Sequence, residues 1–386
     1  MTDARGLVLR SARGRWVLTA TVLGSSMAFI DGTVVGIAQP TIGREFHADV
    51  AGLQWVTIGY MLTLSGLLLL GGALGDRLGR RRLFMIGVVW FAAASLLCAI
   101  APTIEVLIVA RAVQGIGGAL LTPGSLAILE SSFVADDRAK SIGAWSGLGG
   151  IAGAAAPFIG GYLIAAASWR LIFLINVPVA APVVFLAARY IPETRDEGQQ
   201  GRLDVAGCTL IVLALIGVSY GLVEGPATGF ASAPVLVSLV GGAAAFVAFI
   251  AVELHSRAPV VPLALFGSRQ FSTTNAVTLL IYAILGGLLF LLPIQLQTVS
   301  HYSPLLAGTG LLPVTAIMLA LSARSGQIAS RIGPRLQMSI GPIIVGLGVL
   351  LYVRIDSSGN YLTEVLPAVV VFGLGLATTV APLTAT

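Results

Sequence analysis

Charge is what this chain has least of. Asp, Glu, Lys and Arg make up 10% of its 386 residues, against 56% hydrophobic residues and a mean hydropathy of +0.95. A soluble domain carries about 25% charged residues, so a water-soluble globule is excluded. Lysine is reduced to Lys140, and Ala139 precedes it. There is therefore no G-x-x-x-x-G-K phosphate loop, and ATP is excluded as a direct energy source through that motif. Both cysteines, Cys98 and Cys208, fall inside apolar runs without pairing or ligand spacing, which argues against disulfides and thiolate metal sites. His47, His255 and His301 lie on separate polar segments, so no zinc or haem cluster can be drawn from them. No cofactor and no metal is expected. The string GIGGAL (Gly115 to Leu120) has the look of a dinucleotide turn, but it sits inside an apolar run instead of following a strand, and is set aside. A cleaved signal peptide is excluded too: no small-residue cleavage site follows the basic N-terminus, and the apolar run is too long.

What the chain has in quantity is apolar length. A helix needs about 20 apolar residues to cross the hydrocarbon. About twelve such runs follow one another, centred near Leu23, Leu64, Ala92, Gly117, Ala152, Ala180, Leu213, Ala243, Ile284, Ile317, Val345 and Gly373. The expected fold class is all-α, a polytopic transmembrane helical bundle. The pI of 9.6 suggests nucleic acid, and the placement of the charges refutes it. If the first run enters from the cytoplasm, the polar segments alternate inside and outside. Every Lys and Arg then falls inside except Arg44, Arg170 and Arg354, which fall outside, and Arg111, which lies within a span. This is the positive-inside asymmetry: it reports a cytoplasmic N-terminus and contact with anionic lipid, with no nucleic-acid partner.

The chain repeats itself. GALGDRLGRRRLFMIG from Gly72 is echoed by GQIASRIGPRLQMSIG from Gly326. Gly72, Arg77, Gly79, Arg81 and Gly87 match Gly326, Arg331, Gly333, Arg335 and Gly341, while Asp76 faces Ser330 and Met85 faces Ser339. A weaker echo sets Gln114 to Leu126 against Phe372 to Thr384. Duplicated halves are the common design of secondary transporters. The first motif joins spans two and three, the second joins spans ten and eleven, so two spans are inserted between the halves. The expected organisation is a six-helix N-terminal half over residues 1–190, a linker with two inserted helices over 191–270, and a C-terminal half over 271–386 with about four of its six helices. On that count twelve helices are present of an expected fourteen, and the chain alone is expected to be a fragment with weak or no alternating access.

Four motifs carry a resemblance to a known family: DGTVVGIAQPTI (Asp31 to Ile42), GALGDRLGRRRLF (Gly72 to Phe84), LIVARAVQGIGGA (Leu107 to Ala119) and GGIAGAAAPFIGG (Gly149 to Gly161). WRLIFLINVP (Trp169 to Pro178) accompanies them. Together they resemble the fourteen-helix drug:proton antiporter branch of the major facilitator superfamily, the second motif alone marking only the superfamily. The sequence departs from the pattern at Gly36, where the family has Asn, and at Ala156, where it has Gly.

Each motif can be weighed on its residues. A mid-helix arginine costs about 2.5–3.5 kcal/mol on insertion scales, so Arg111 should face a cavity or a partner. It is either a structural cation satisfied by backbone carbonyls or a functional group, and the resemblance implies a part in proton coupling. Asp31 is the carboxylate well inside the first helix, about fifteen residues on from Trp16. Desolvation favours a neutral acid and a nearby cation favours its anion, so a buried Asp beside Arg111 can serve as a proton site. The other reading puts Asp31 at the outer interface, hydrated. In the charged turn, Gly72, Gly75 and Gly79 are expected to permit a tight reversal and close helix approach. Arg80 and Arg82 read as topology anchors. The resemblance implies that Asp76 and Arg77 join a charge network locking the two halves on the cytoplasmic side, with Gly72, Gly75, Gly79 and Arg81 completing the gating turn. Gly149, Gly153, Gly160 and Gly161 permit close packing and Pro157 bends the helix; the resemblance marks this as the antiporter motif, against ordinary small-residue packing.

The sequence thus leads to an exporter in the inner (cytoplasmic) membrane that exchanges protons for amphipathic, drug-like small molecules by alternating access, and to no enzyme. Membrane lipids surround it and a monomer is expected. Gln54, Asn275 and Gln295 are candidates for orienting substrate in an apolar cavity. The alternatives are a dedicated exporter of an endogenous metabolite or antibiotic, and a non-transporting membrane protein or inactive fragment.

Overall fold

Without water, every backbone N–H and C=O must be paired within the protein, and a helix pairs them segment by segment. The computed structural model describes residues 6–195, 204–256, 261–357 and 359–385, and apart from short connections these are helical. Arg5, Arg202 and Arg257 of the basic set, and the Ser330 side chain, lie outside the described residues. The helices are α1 (Ala12–Phe46), α2 (Val50–Leu78), α3 (Arg80–Ala99), α4 (Ile104–Ser132), α5 (Ala135–Ala166), α6 (Leu171–Leu174), α7 (Asn176–Tyr190), α8 (Val205–Thr228), α9 (Ala233–His255), α10 (Arg269–Thr298), α11 (Pro304–Gly310), α12 (Leu312–Ile332), α13 (Arg335–Tyr352) and α14 (Leu366–Ala385). Twelve spans among the described residues are long and apolar enough to cross a membrane, α6–α7 and α11–α12 each making one of them. They coincide with the expected runs.

The few polar residues between helices set where helices begin. Asp49 Oδ1 accepts the Gly52 N–H at 2.8 Å, Asp204 Oδ1 accepts that of Gly207 at 2.7 Å, and Ser11 Oγ accepts that of Gly14 at 3.0 Å. Each satisfies one of the unpaired donors of a first turn. Before α1 the chain is pinned as well. Leu7 donates to Ser132 O (2.7 Å) and accepts from Val134 N (3.1 Å), while Leu9 N donates to Asp137 Oδ2 (3.0 Å). This short parallel bridge lies across the α4–α5 turn.

The helices fall into two units. The first holds Met1–Gly32, Ile42–Gly149 and Arg170–Leu263. Its core includes Val17, Met27, Tyr60, Phe84, Phe91, Leu121, Ile128 and Val183, drawn from α1 to α4 and α7, with Phe133 at the end of α4. The α8–α9 hairpin belongs to this unit. A methyl added at Gly217 would lie 2.8 Å from Gly242 Cα, so the two helices touch backbone to backbone. The hairpin is held to α2 by the Trp55 indole, which donates to Glu224 Oε1 at 2.9 Å. The second unit holds Thr33–Thr41, Gly150–Trp169 and Ala264–Thr386. Its core combines Leu292, Leu296, Ala307, Leu311, Val365 and Val369 with a neighbouring group around Ile281, Val345, Phe372 and Leu376.

The sequence echo is matched in space. The α2–α3 reversal passes through Gly79 (φ +110°) and the α12–α13 reversal through Gly333 (φ +83°), a region that L side chains avoid. In the first unit a methyl at Gly117 would sit 2.7 Å from Phe91 N, and one at Gly87 would sit 2.7 Å from Leu121 N. In the second, Gly375 stands 2.5 Å from Val345 N and Gly341 3.2 Å from Thr379 N by the same measure. Lipid tails are as apolar as leucine, so close packing of this kind replaces the hydrophobic effect as the force between helices.

Candidate functional site: a buried ion pair and a charged turn

The most expensive groups in the chain meet each other. Asp31 on α1 and Arg111 on α4 are both 1% exposed. An Arg111 terminal nitrogen donates to Asp31 Oδ2 at 2.5 Å and to Gln114 Oε1 at 2.6 Å, and Arg111 Nε donates to Val56 O at 3.1 Å. The guanidinium lies 4.2 Å from the Tyr60 ring centre and 5.6 Å from that of Phe173. Both contacts are within cation–π range. Gln114, three residues after Arg111 on the same face of α4, returns its amide to Asp31 Oδ1 at 2.8 Å. The hydrated-interface reading of Asp31 fails on its burial. Arg111 is satisfied by two side chains and one backbone carbonyl, not by carbonyls alone.

Small residues let these long side chains reach. Gly59 on α2 lies close to Ile108 O, and Gly115 on α4 lies against Tyr60 O and the Thr63 hydroxyl. A larger residue at either place would push α2 and α4 apart and take Val56 O away from Arg111. Taking two charges out of water costs several kcal/mol per ion, and breaking such a pair from one side costs about 3–5 kcal/mol. Removing one charge alone therefore weakens the arrangement more than removing both.

The polar network extends past the residues that sequence reasoning singled out. Gln114 Nε2 also donates to Ser95 Oγ at 2.9 Å, Asn176 Nδ2 donates to the same oxygen at 3.2 Å, and Cys98 Sγ lies 3.5 Å from Gln114 Oε1. Gln114 and Asn176 do stand inside the quoted motifs. Uncharged, they carry no insertion penalty large enough to flag them.

In the charged turn, Asp76 pairs with Arg80 at 2.7 Å within its own turn, and Arg80 also reaches Ala127 O at 3.5 Å. Arg77 Nε is enclosed without a hydrogen-bond acceptor. Arg81 turns to the segment after α7: its backbone N–H donates to Glu193 Oε1 (3.1 Å), its guanidinium to Ile191 O (3.2 Å), and Arg80 N donates to Thr194 O (3.0 Å). Glu193 Oε2 also lies 3.5 Å from Arg81 Nε and 3.7 Å from Arg82 Nε. A carboxylate from a stretch read only as linker thus sits at the N-terminus of α3, where the helix dipole favours an anion. Of the three glycines expected to permit the reversal, one has a backbone that requires glycine. Only Gly79 has positive φ, and a methyl there would strike Glu193, 2.5 Å away. Gly72 and Gly75 have ordinary room for a methyl, at 3.8 and 3.6 Å from their nearest neighbours.

The fourth motif divides between the units. Gly149 faces Phe29 in the first, where a methyl would come within 2.7 Å of the ring. In the second, Thr33 donates to Gly153 O at 3.3 Å, Gly160 lies against Val34, Gly161 would meet Pro304 O at 2.7 Å, and Pro157 O lies against Gly308. The glycine at position 36 is explained too: Leu289 O would stand 2.9 Å from any Cβ there, leaving no room for asparagine. Among the substrate-orienting candidates, Asn275 returns its amide to Phe271 O of its own helix, and Gln295 donates to Ile355 O at 3.4 Å.

Comparison with known proteins agrees with this architecture. The model of the Major Facilitator Superfamily matches residues 21–386. The Tetracenomycin C resistance and export protein of Streptomyces glaucescens is 36% identical over 349 residues, covering 90% of this chain and 63% of its own. The Multidrug resistance protein Stp of Mycobacterium tuberculosis is 34% identical over 360 residues, covering 93% of this chain and 66% of its own. The chain thus spans just under two thirds of the length of these curated relatives. A crystal structure of the peptide transporter POT in complex with sulfate superposes with a TM-score of 0.67 at 15% identity, covering 97% of this chain and 82% of that one, which shows the fold. Twelve apolar spans among the described residues and a family match over residues 21–386 have one reading: this multi-pass membrane protein belongs to the Major Facilitator Superfamily.

Proposed function

We propose that the protein acts in the export of drug-like or antibiotic small molecules across the cytoplasmic membrane, driven by proton entry, with its N-terminus on the cytoplasmic side. The buried Asp31–Arg111 pair carries the proposal, because a carboxylate held in a dry helical interior by a single cation is a group that one proton can switch. With Asp31 ionised, Arg111 is neutralised and held to α1. When Asp31 takes a proton, Arg111 keeps Val56 O and Gln114 Oε1 but loses its counter-charge, so the α1–α4 contact weakens. A contact between helices that one proton makes or loosens is a bistable element of the kind that transport cycles use. The charged turn at Gly72, Gly75, Asp76, Arg77, Gly79 and Arg81 serves as the gate, and the small-residue face of Gly149, Gly153, Pro157, Gly160 and Gly161 as the antiporter surface on α5. Halves over 1–190 and 271–386 with an intervening 191–270 segment remain the proposed organisation. The equivalent glycine contacts support the pairing of the halves.

The test is substrate-driven proton release by purified protein in proteoliposomes. Asp31→Asn is expected to abolish it while membrane insertion is retained. Unchanged release would remove Asp31 from this role. A second reading, a dedicated exporter of one antibiotic, is favoured by the relative named for tetracenomycin C export. Efflux of a chemically mixed substrate panel from a host without its own pumps separates the two: one substrate moved means dedicated, several unrelated ones mean multidrug.

A further inference from the structure

The segment Trp169 to Pro178 is a motif that the mechanism above leaves unused, and it ends at the ion pair. Phe173 closes one face of the Arg111 guanidinium. Asn176, buried at the first turn of α7, donates to Ser95 Oγ. We propose that Asn176 is a positioning residue: through Ser95 it fixes which way round the Gln114 carboxamide lies, and thereby favours the ionised form of Asp31. This rests on the reading of Asp31 as the proton site.

The argument is a count of donors and acceptors. A serine hydroxyl has one hydrogen to give and two lone pairs to receive with. Ser95 gives its hydrogen to Phe91 O at 2.8 Å and receives from Gln114 Nε2 and Asn176 Nδ2. It is saturated, and towards Gln114 it can only accept. The Gln114 amide is saturated in turn: its nitrogen serves Asp31 Oδ1 and Ser95, its oxygen serves Arg111 and Cys98. Turning that amide over would set its oxygen against Ser95 Oγ and its N–H groups against Arg111, two clashes of like polarity. Yet the turned amide is the arrangement that suits a protonated Asp31, whose new O–H needs an acceptor. Without Asn176, one Ser95 lone pair is vacant and the hydroxyl can swing towards Gln114. The turned state then loses one of its two penalties, and proton uptake becomes easier.

The groups that face Asp31 are few. Among the described residues α4 brings Arg111, α2 brings Tyr60 and α3 brings Cys98 as charged or titratable neighbours, while the α6–α7 break brings Phe173 and Asn176, which do not titrate. A change at Asn176 therefore reaches Asp31 through hydrogen bonds and not through added or removed charge.

The experiment is a pH titration of the protonated-carboxyl band by infrared difference spectroscopy, on the purified chain in lipid nanodiscs. The wild type is compared with Asp31→Asn, Asn176→Leu, Ser95→Ala and the Ser95→Ala, Asn176→Leu double variant. The Asp31 band is expected to vanish in Asp31→Asn. In Asn176→Leu its midpoint should rise by about 0.5–1 pH unit, the equivalent of one hydrogen bond. The double variant should match Ser95→Ala alone, because Asn176 has no route to Asp31 once the hydroxyl is gone. If Asp31→Asn removes no band, the proton-site reading fails. If it removes the band but Asn176→Leu titrates like the wild type, or if the two single shifts add in the double variant, the positioning role is overturned. Should Asn176→Leu fail to fold, an unshifted midpoint in Ser95→Ala overturns it equally.

Discussion

The two halves of this chain share a frame and differ in what the frame encloses. Gly87 and Gly117 bring α3 and α4 together; Gly341 and Gly375 do the same for α13 and α14. Within the second pair of helices, however, the place of Gln114 is taken by Phe372, and that of Arg111 by Val369, both fully buried. Phe372 packs on the Tyr352 ring, at 6.2 Å and 72°, where the first half has a hydrogen-bonded chain. The lesson is that the glycine contacts recur at the echoed positions while the buried charges do not.

The largest expected effect comes from breaking the charged side. Arg111→Met leaves a buried anion unpaired and should cost about 3–5 kcal/mol, read as a lowered thermal midpoint in detergent. Adding Asp31→Asn should return most of it, since neither charge then remains. The same chemistry forced into the other half, Val369→Arg, has no carboxylate waiting and should be at least as damaging, with no single neutralising substitution to rescue it. Arg111→Lys should keep the fold better than Arg111→Met yet fail in transport, because a point charge cannot serve Asp31, Gln114 and Val56 O at once.

The frame should respond alike in both halves. Gly117→Ala and Gly375→Ala each place a methyl against a backbone nitrogen and should each lose about 1–3 kcal/mol. Gly143→Ala and Gly326→Ala, on helices with open space around them, should gain about 0.5–1 kcal/mol. A strong asymmetry between Gly117 and Gly375 would break the claim that the packing is duplicated.

The turns sharpen the comparison at smaller scale. Gly79→Ala and Gly333→Ala both force a disfavoured backbone, about 1–3 kcal/mol each. Gly79→Ala should cost more, because its methyl meets Glu193 while Gly333 faces open space. Gly72→Ala and Gly75→Ala should fall within about 0.5 kcal/mol of wild type, as substitutions with room to spare do. Glu193→Gln is comparably mild. Half-exposed pairs contribute about 0–1 kcal/mol, so a small, salt-sensitive loss of thermal midpoint is expected.

These residues also show what a sequence discloses in a membrane. The spans are legible because lipid leaves an apolar helix no alternative. Asp31 and Arg111 are legible because burying either is too costly to be incidental. Gln114, Ser95 and Asn176 are not legible in the same way. A lone amide or hydroxyl in a helix is cheap, since it can return to its own backbone as Asn275 does, and its partner lies on another helix that no spacing rule identifies. Glu193 was hidden for another reason. A polar stretch between spans reads as solvated linker unless one knows that α3 begins at a glycine that offers no side-chain cap. The bridge at Leu7 left no trace, because one backbone pair has no periodicity.

That bridge sets an order of events during synthesis. Leu7 leaves the ribosome about 125 residues before Ser132 and Val134, the groups it pairs with, and at about 5–20 residues per second the wait lasts roughly 6–25 seconds. For that interval the stretch leading into α1 has no backbone partner in the native arrangement, and a protease or a chaperone can reach it. Once α4 and the start of α5 are in place, it closes over their turn and is withdrawn. Residues 7 to 9 are thus fastened only after α4 and its turn into α5 have formed. A cleavage site engineered between Gly6 and Leu9 would act as a clock, cut in nascent chains that stop before Val134 and spared in those that pass it.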